Sequence, residues 1–132
     1  MKKEIDGLGT IRYYNDNNEL HREDGPAVEY SNGEKCWYKN GKYHREDGPA
    51  IEYANGTKCW FKNGEYHRED GPAVEYANGY KAWYKNGKIH REDGSAREYS
   101  NGYKEYWHNN IFYPEIKTDE EWKKFVKLII FI

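Results

Sequence analysis

Four copies of His-Arg-Glu-Asp-Gly, at residues 21–25, 44–48, 67–71 and 90–94, place the side chains of acid–base and metal chemistry along the chain at a period of 23 residues. A histidine beside carboxylates is the equipment of general acid–base catalysis. Catalysis of that kind also needs a nucleophile or a metal within hydrogen-bond reach of the imidazole. No Ser or Cys recurs at a matching position beside these histidines. Four equal copies would also mean four identical active sites. If each repeat contributes two strands at ~4.8 Å spacing, successive histidines stand about 10 Å apart, too far to share one ion. The sequence therefore predicts no catalytic residue, no metal ligand and no cofactor, and the chain is not expected to be an enzyme. The motif reads instead as a charge ladder. Each Arg pairs with a Glu or Asp of its own or the adjacent repeat, and each Asp caps the turn ahead of its Gly. Exposed pairs contribute only about 0.2–1 kcal/mol each. The competing reading is a charged recognition edge centred on Arg45, Glu46, Arg68 and Glu69.

The two cysteines, Cys36 and Cys59, occupy the same position in successive repeats. At about 10 Å they exceed the ~7 Å Cα separation that a disulfide tolerates. The third and fourth copies carry Ala82 and Glu105 there, so a small buried or half-buried thiol is the expectation. No metal-type Cys or His spacing accompanies them.

Aromatic residues make up 17% of the chain, with 14 Tyr and 5 Trp, while aliphatic side chains are scarce before the last eight residues. Any core must be built from rings, each of which buries roughly 150–250 Å². Sequential rings on a strand point to opposite faces. Trp37 with Tyr38, Trp60 with Phe61, Trp83 with Tyr84 and Tyr106 with Trp107 should thus form two aromatic columns. One column can be buried against the curvature of the sheet. The other is exposed as a binding stripe or is covered by Lys and Glu stems. The further columns Tyr30, Tyr53, Tyr76, Tyr99 and Ala27, Ala50, Ala73, Ala96 read as packing positions.

These residues are positioned by a regular punctuation. Each of the first three repeats has two Asn-Gly pairs eight residues apart, at 32–33 and 40–41, 55–56 and 63–64, 78–79 and 86–87. Asn-Gly suits the type I′ turn, which needs positive φ at both central residues. The flanking segments, such as residues 27–30 and 35–39, are rich in strand-forming types. The Pro residues 26, 49 and 72 mark strand entry. The expected fold is mostly β: an elongated single-layer antiparallel meander, one hairpin per repeat. The array spans residues 1–112, with a degenerate unit at 1–20 and repeats at 21–43, 44–66, 67–89 and 90–112. Tyr13 and Tyr14 replace the Trp-Tyr pair in the first unit and Asn17-Asn18 replace its second turn. Atypical end units are expected of such arrays. Residues 113–132 form a second segment. Thr118 and Glu121 make a capping box, and Trp122, Phe125, Val126, Ile129 and Ile130 follow at helical spacing. This short amphipathic helix is a lid on the open end of the sheet, a surface for a partner or a second copy through Trp122, Phe125 and Ile129, or a membrane-surface anchor.

The net charge of −2 gives no electrostatic footprint for nucleic acid. The first residues lack the apolar stretch of a signal peptide, and no apolar run approaches the ~20 residues of a membrane span. The expected location is the cytoplasm of the producing or infected cell, and a membrane partner is not expected.

The 23-residue period, the Tyr-x-Asn-Gly turn, the aromatic pair and the following Asn-Gly-Lys resemble the MORN repeat over roughly residues 7–112. The closest likeness is to its bacterial and viral variant. The His-Arg-Glu-Asp-Gly-Pro-Ala connection departs from the usual His-Gly-x-Gly of that family. The resemblance implies an extended antiparallel sheet used for protein–protein contact. Lipid binding is proposed for some of its members, and antitoxin-type roles occur among bacterial relatives. The leading expectation is a non-enzymatic protein-binding module, of the phage or mobile-element inhibitor or antitoxin type, that grips a protein with Trp37, Tyr38, Trp60, Phe61, Trp83 and Tyr84 and the charged edge. The alternatives are a small-ligand array that holds a nucleotide, choline or sugar between rings, and an assembly protein that dimerises through the C-terminal helix and the tail 128–132.

Overall fold

The two Asn-Gly pairs of a repeat fold into two different turns, and that difference organises the molecule. In the computed structural model, which describes residues 1–130, the second pair is the type I′ turn: Asn40 and Gly41 have φ of 48° and 82°. They join Tyr38–Lys39 to Lys42–Tyr43. The first pair is not a type I′ turn. Only Gly33 has positive φ, at 93°. The Gly33 N–H donates to the Tyr30 carbonyl at 3.0 Å and the Tyr30 N–H to the Glu34 carbonyl at 2.9 Å, closing a three-residue loop. Asn32 serves this loop with its side chain, Oδ1 accepting from the Glu34 N–H at 3.0 Å. The same dipeptide thus makes two loops because the loop length around it differs.

Each repeat consequently contributes two hairpins, where one was expected. The first hairpin of every repeat, such as Val28–Glu29 with Lys35–Cys36, enters one ten-stranded antiparallel sheet in chain order. That sheet starts with Lys2–Ile5 paired to Ile11–Tyr14 and continues between repeats through pairs such as Cys36 with Ile51. The second hairpins form four separate two-stranded ladders. The chain is mostly β, an open antiparallel meander of hairpins, with one C-terminal helix.

The core lies where the two hairpin sets meet. Val28, Cys36, Ile51, Cys59, Val74 and Ala82 are buried on the sheet, and Tyr38, Tyr43, Phe61, Tyr66 and Tyr84 pack on them from the second hairpins. These rings form a continuous stack, with centroids 4.5, 5.0, 4.4 and 4.9 Å apart in that order. Each such contact adds about 0.5–1.5 kcal/mol beyond burial. Ala27, Ala50, Ala73 and Ala96 are fully buried, as their small size implied.

The fourth repeat departs from this pattern. Its aliphatic and thiol positions carry Arg97 and Glu105, which face each other across the ladder. Glu105 Oε1 lies 3.8 Å from the Arg97 guanidinium and accepts from Tyr99 Oη at 3.3 Å and Trp107 Nε1 at 3.2 Å.

The helix, Asp119–Ile129, is capped by Thr118, whose hydroxyl accepts from the Glu121 N–H at 3.1 Å. The reciprocal bond of a full capping box is replaced by Thr118 Oγ1 donating to Glu121 Oε1 at 3.1 Å. Trp122 is completely buried. It packs with Tyr106, Tyr113 and Phe125 and donates Nε1–H to the Arg91 carbonyl at 2.8 Å. Tyr106 Oη donates to Asp119 at 2.7 Å. The helix therefore lies as a lid on the fourth repeat. Among the described residues no helix is long and apolar enough to cross a membrane.

Candidate interaction site

The His-Arg-Glu-Asp segment is held at both ends, its His by the second turn of its own repeat and its Arg by a ring of the preceding one. His44 Nδ1 accepts from the backbone N–H of Asn63, in the type I′ turn of its own repeat, at 3.0 Å. His21, His67 and His90 do the same to Asn40, Asn86 and Asn109 at 2.9, 3.1 and 3.0 Å. The bond fixes the tautomer: a neutral imidazole that accepts at Nδ1 carries its proton on Nε2. His44 Nε2 then donates to Glu46 at 2.6 Å.

This tautomer decides the one geometric metal candidate among the described residues. His90, Glu92 and His108 bring ligand atoms within 4.8 Å of one another. His90 has Nδ1 engaged by Asn109 and Nε2 protonated, so it presents no lone pair to an ion. Burial, reinforced by the neighbouring His108, holds the His90 pKa below the ordinary histidine value. The cluster is a structural bracket like the other three.

Each arginine of the motif lies over a ring. The Arg45 guanidinium carbon is 3.8 Å from the Trp37 ring centroid, Arg68 is 3.9 Å from Trp60, Arg91 is 4.1 Å from Trp83 and Arg22 is 4.1 Å from Tyr13. Arg45 Nε donates to Asp47 at 3.1 Å, and NH1 donates to the Pro49 carbonyl at 3.0 Å and to Glu52 at 2.8 Å. The expected ladder of Arg with its own acids is thus present. The Asp, however, is held by the arginine and does not cap a backbone N–H. The Gly of the motif is needed for this packing: a Cβ on Gly48 would stand 2.9 Å from Arg45 Cζ. Sequence reasoning missed both the His bracket and the Arg–Trp stack. The fixed offset of 19 residues between each His and the Asn of its repeat's second turn was the available signal.

The structure groups the predicted site residues into three equivalent grooves between successive motifs. Trp37, Tyr38, Arg45 and Glu46 line the first, of about 630 Å³. Arg45, Glu46, Trp60, Phe61, Arg68 and Glu69 line the second, of about 610 Å³. Arg68, Glu69, Trp83 and Tyr84 line the third, of about 500 Å³. The rims are carboxylates that stand far into solvent, with Glu46 71%, Asp47 87%, Glu69 70% and Asp70 86% exposed. The Trp column on the groove floor is half-buried beneath its arginines. Tyr38, Phe61 and Tyr84 are half-buried in the ring stack.

The exposed aromatic column is a different one. Tyr30, Tyr53 and Tyr76, expected as packing, are the solvent-facing rings, together with Tyr103. Tyr99 of the same column is half-buried. On the helix, Trp122 faces inward and Phe125 and Ile129 are half-buried at its edge, while Leu128 and Ile130 are exposed. Of the tail expected to mediate a dimer, residues 131 and 132 lie outside the described residues.

Cys36 and Cys59 are free and buried. Burial pushes both thiols up to about 11, so neither is a thiolate nucleophile near neutral pH. Native protein treated with a disulfide reagent at pH 7.5 is expected to titrate no thiol within minutes, and two in denaturant. Fast reaction of the native protein would contradict the packing of these residues.

Compared with known protein families and with curated proteins, the chain matches no family model and no curated sequence.

Proposed function

We propose that this protein is a non-enzymatic binding module whose partner is a protein with a basic surface. The observation that carries the reading is the row of three equivalent grooves, each with projecting acidic rims, at a 23-residue repeat. Repetition presents the same carboxylate pair several times in a fixed line, which suits multivalent grip of an extended partner. The rim acids are exposed, so their contribution falls on association rate and specificity and weakens with salt. The MORN-like repeat pattern agrees with a protein-contact role, and a role as an inhibitor or antitoxin-like sequestering protein is the form of it favoured here. The motif histidines are occupied in holding the second turn of their own repeat and the arginines in stacking on the preceding one, which is the reason to assign them no chemistry.

The test is a quadruple charge reversal, Glu46→Lys, Asp47→Lys, Glu69→Lys and Asp70→Lys, compared with the parent in native mass spectrometry of tagged protein purified gently from its host lysate. The expected outcome is a stoichiometric protein companion on the parent that is lost from the variant, with an unchanged circular dichroism spectrum for both. A companion that survives the reversal, or a parent chain that carries none, would remove the acidic grooves from the proposal.

A further inference from the structure

The position after each first Asn-Gly pair is Glu34, Thr57, Tyr80 and Tyr103 in the four repeats. In the third repeat this residue is a ring between rings, and in the fourth a ring against one ring. Tyr80 sits between Tyr76 and Tyr99, with centroids at 5.0 and 5.1 Å, and Tyr103 lies 5.4 Å from Tyr99. The space between successive tyrosines of the exposed column is therefore the width of one inserted aromatic ring. In the second repeat Thr57 occupies that position. Its hydroxyl turns to the backbone, accepting from the Ala77 N–H at 3.1 Å, and the threonine is buried. What remains between Tyr53 and Tyr76 is an open slot of about 450 Å³, with Cys59 and Tyr66 in its lining and Asn55 and Asn78 beside them.

We infer that this slot takes one aromatic side chain, a Tyr or Phe, of the protein partner. The inference rests on the protein-binding reading above and adds an anchor to it. The occupant is specified by the molecule itself: Tyr80 shows that a phenol ring is accepted between two successive tyrosines of this column, in the same register one repeat later. Tyr53 and Tyr76 are 39% and 49% exposed, so an inserted ring would gain two tilted ring contacts of the kind that Tyr80 makes. The side-chain amides of Asn55 and Asn78 offer N–H donors to a phenol oxygen or to the carbonyl of the chain that carries the ring. A ring delivered into a preformed slot is the usual anchor of a protein interface.

The experiment uses N-acetyl-tyrosinamide as the probe of a chain-borne ring, followed by amide chemical shifts of the full chain. Saturable shifts are expected at Thr57, Ala77 and Asn78, with a Kd on the order of 1 mM, the scale for one ring and its amides. In Thr57→Tyr, which copies the third and fourth repeats and so fills the slot from within, the saturable response should vanish. Tyr76→Ala should weaken binding about fivefold or more. Absence of saturable shifts, or binding that persists in Thr57→Tyr, would overturn the slot while leaving the acidic-groove test unaffected. Tenfold tighter binding of p-cresol than of the capped amide would also overturn it, since the slot would then reject the backbone that carries a side chain.

Discussion

Trp122→Ala is expected to cost about 3–5 kcal/mol of stability, the range for deleting a fully buried large ring. The indole touches Tyr106, Tyr113 and Phe125, and its N–H satisfies the Arg91 carbonyl at the start of the fourth connection. Removal leaves a cavity under the helix and an unpaired carbonyl. An isolated helix of 11 residues is marginal in water, so the helix should lose its order with its anchor. The expected readings are a large fall in the urea midpoint, loss of helical circular dichroism and faster hydrogen exchange at Trp107 and His108. Trp122→Phe keeps a ring and should recover most of the loss, the missing N–H donor costing about 1–2 kcal/mol. A midpoint unchanged in the Ala variant would mean that the helix is not part of the cooperative fold.

Glu105→Ala is expected to destabilise by roughly 2–4 kcal/mol, because it strips the partner from a mostly buried cation. Two donors, Tyr99 Oη and Trp107 Nε1, and the Arg97 guanidinium at 3.8 Å converge on Glu105. Arg97 Nε is already buried without a partner, and the guanidinium lies over the Trp107 ring with 4.8 Å to its centroid. The physical test is the double variant. Arg97→Val with Glu105→Ala recreates the Val74 and Ala82 pair of the third repeat, which face each other in the same register. Replacing a buried ion pair by a packed apolar pair is often neutral or favourable, so the double variant should return to within about 1 kcal/mol of the parent. Denaturant unfolding of the parent, both singles and the double closes the cycle. A double variant as unstable as Glu105→Ala would show that the cost arises from Tyr99 and Trp107 losing their acceptor, and not from the stranded arginine.

The two predictions share a cause, namely the end of the array. Internal repeats bury an aliphatic and a thiol or Ala against the ring stack. The fourth repeat has no following repeat to supply rings and substitutes a charged pair and a helix. The unpaired Arg97 Nε is the visible remainder of that substitution.

Much of this was legible in the residues. The 23-residue period, the Asn-Gly punctuation and the β-rich flanks specify a meander of hairpins, because turn chemistry and strand propensity act over a few neighbouring residues. Thr118 with the spacing of Trp122, Phe125 and Val126 specifies the helix and its inward face for the same reason. The burial of Cys36 and Cys59 followed from their replacement by Ala82. The tertiary structure alone decided the rest. Whether an Asn-Gly pair makes a two- or three-residue loop depends on which strands the ladder joins, so the split into a sheet and a second set of hairpins was hidden. Trp and Tyr columns are equally aromatic in the sequence. Only packing assigns Trp37, Trp60 and Trp83 to the arginines and leaves Tyr30, Tyr53 and Tyr76 to solvent. The role of His44 was equally non-local: a backbone N–H 19 residues further on takes its Nδ1, and with it the lone pair that chemistry would have needed. Local sequence fixes torsions and faces, whereas exposure and proton position are set by neighbours distant in the chain that arrive only when it folds.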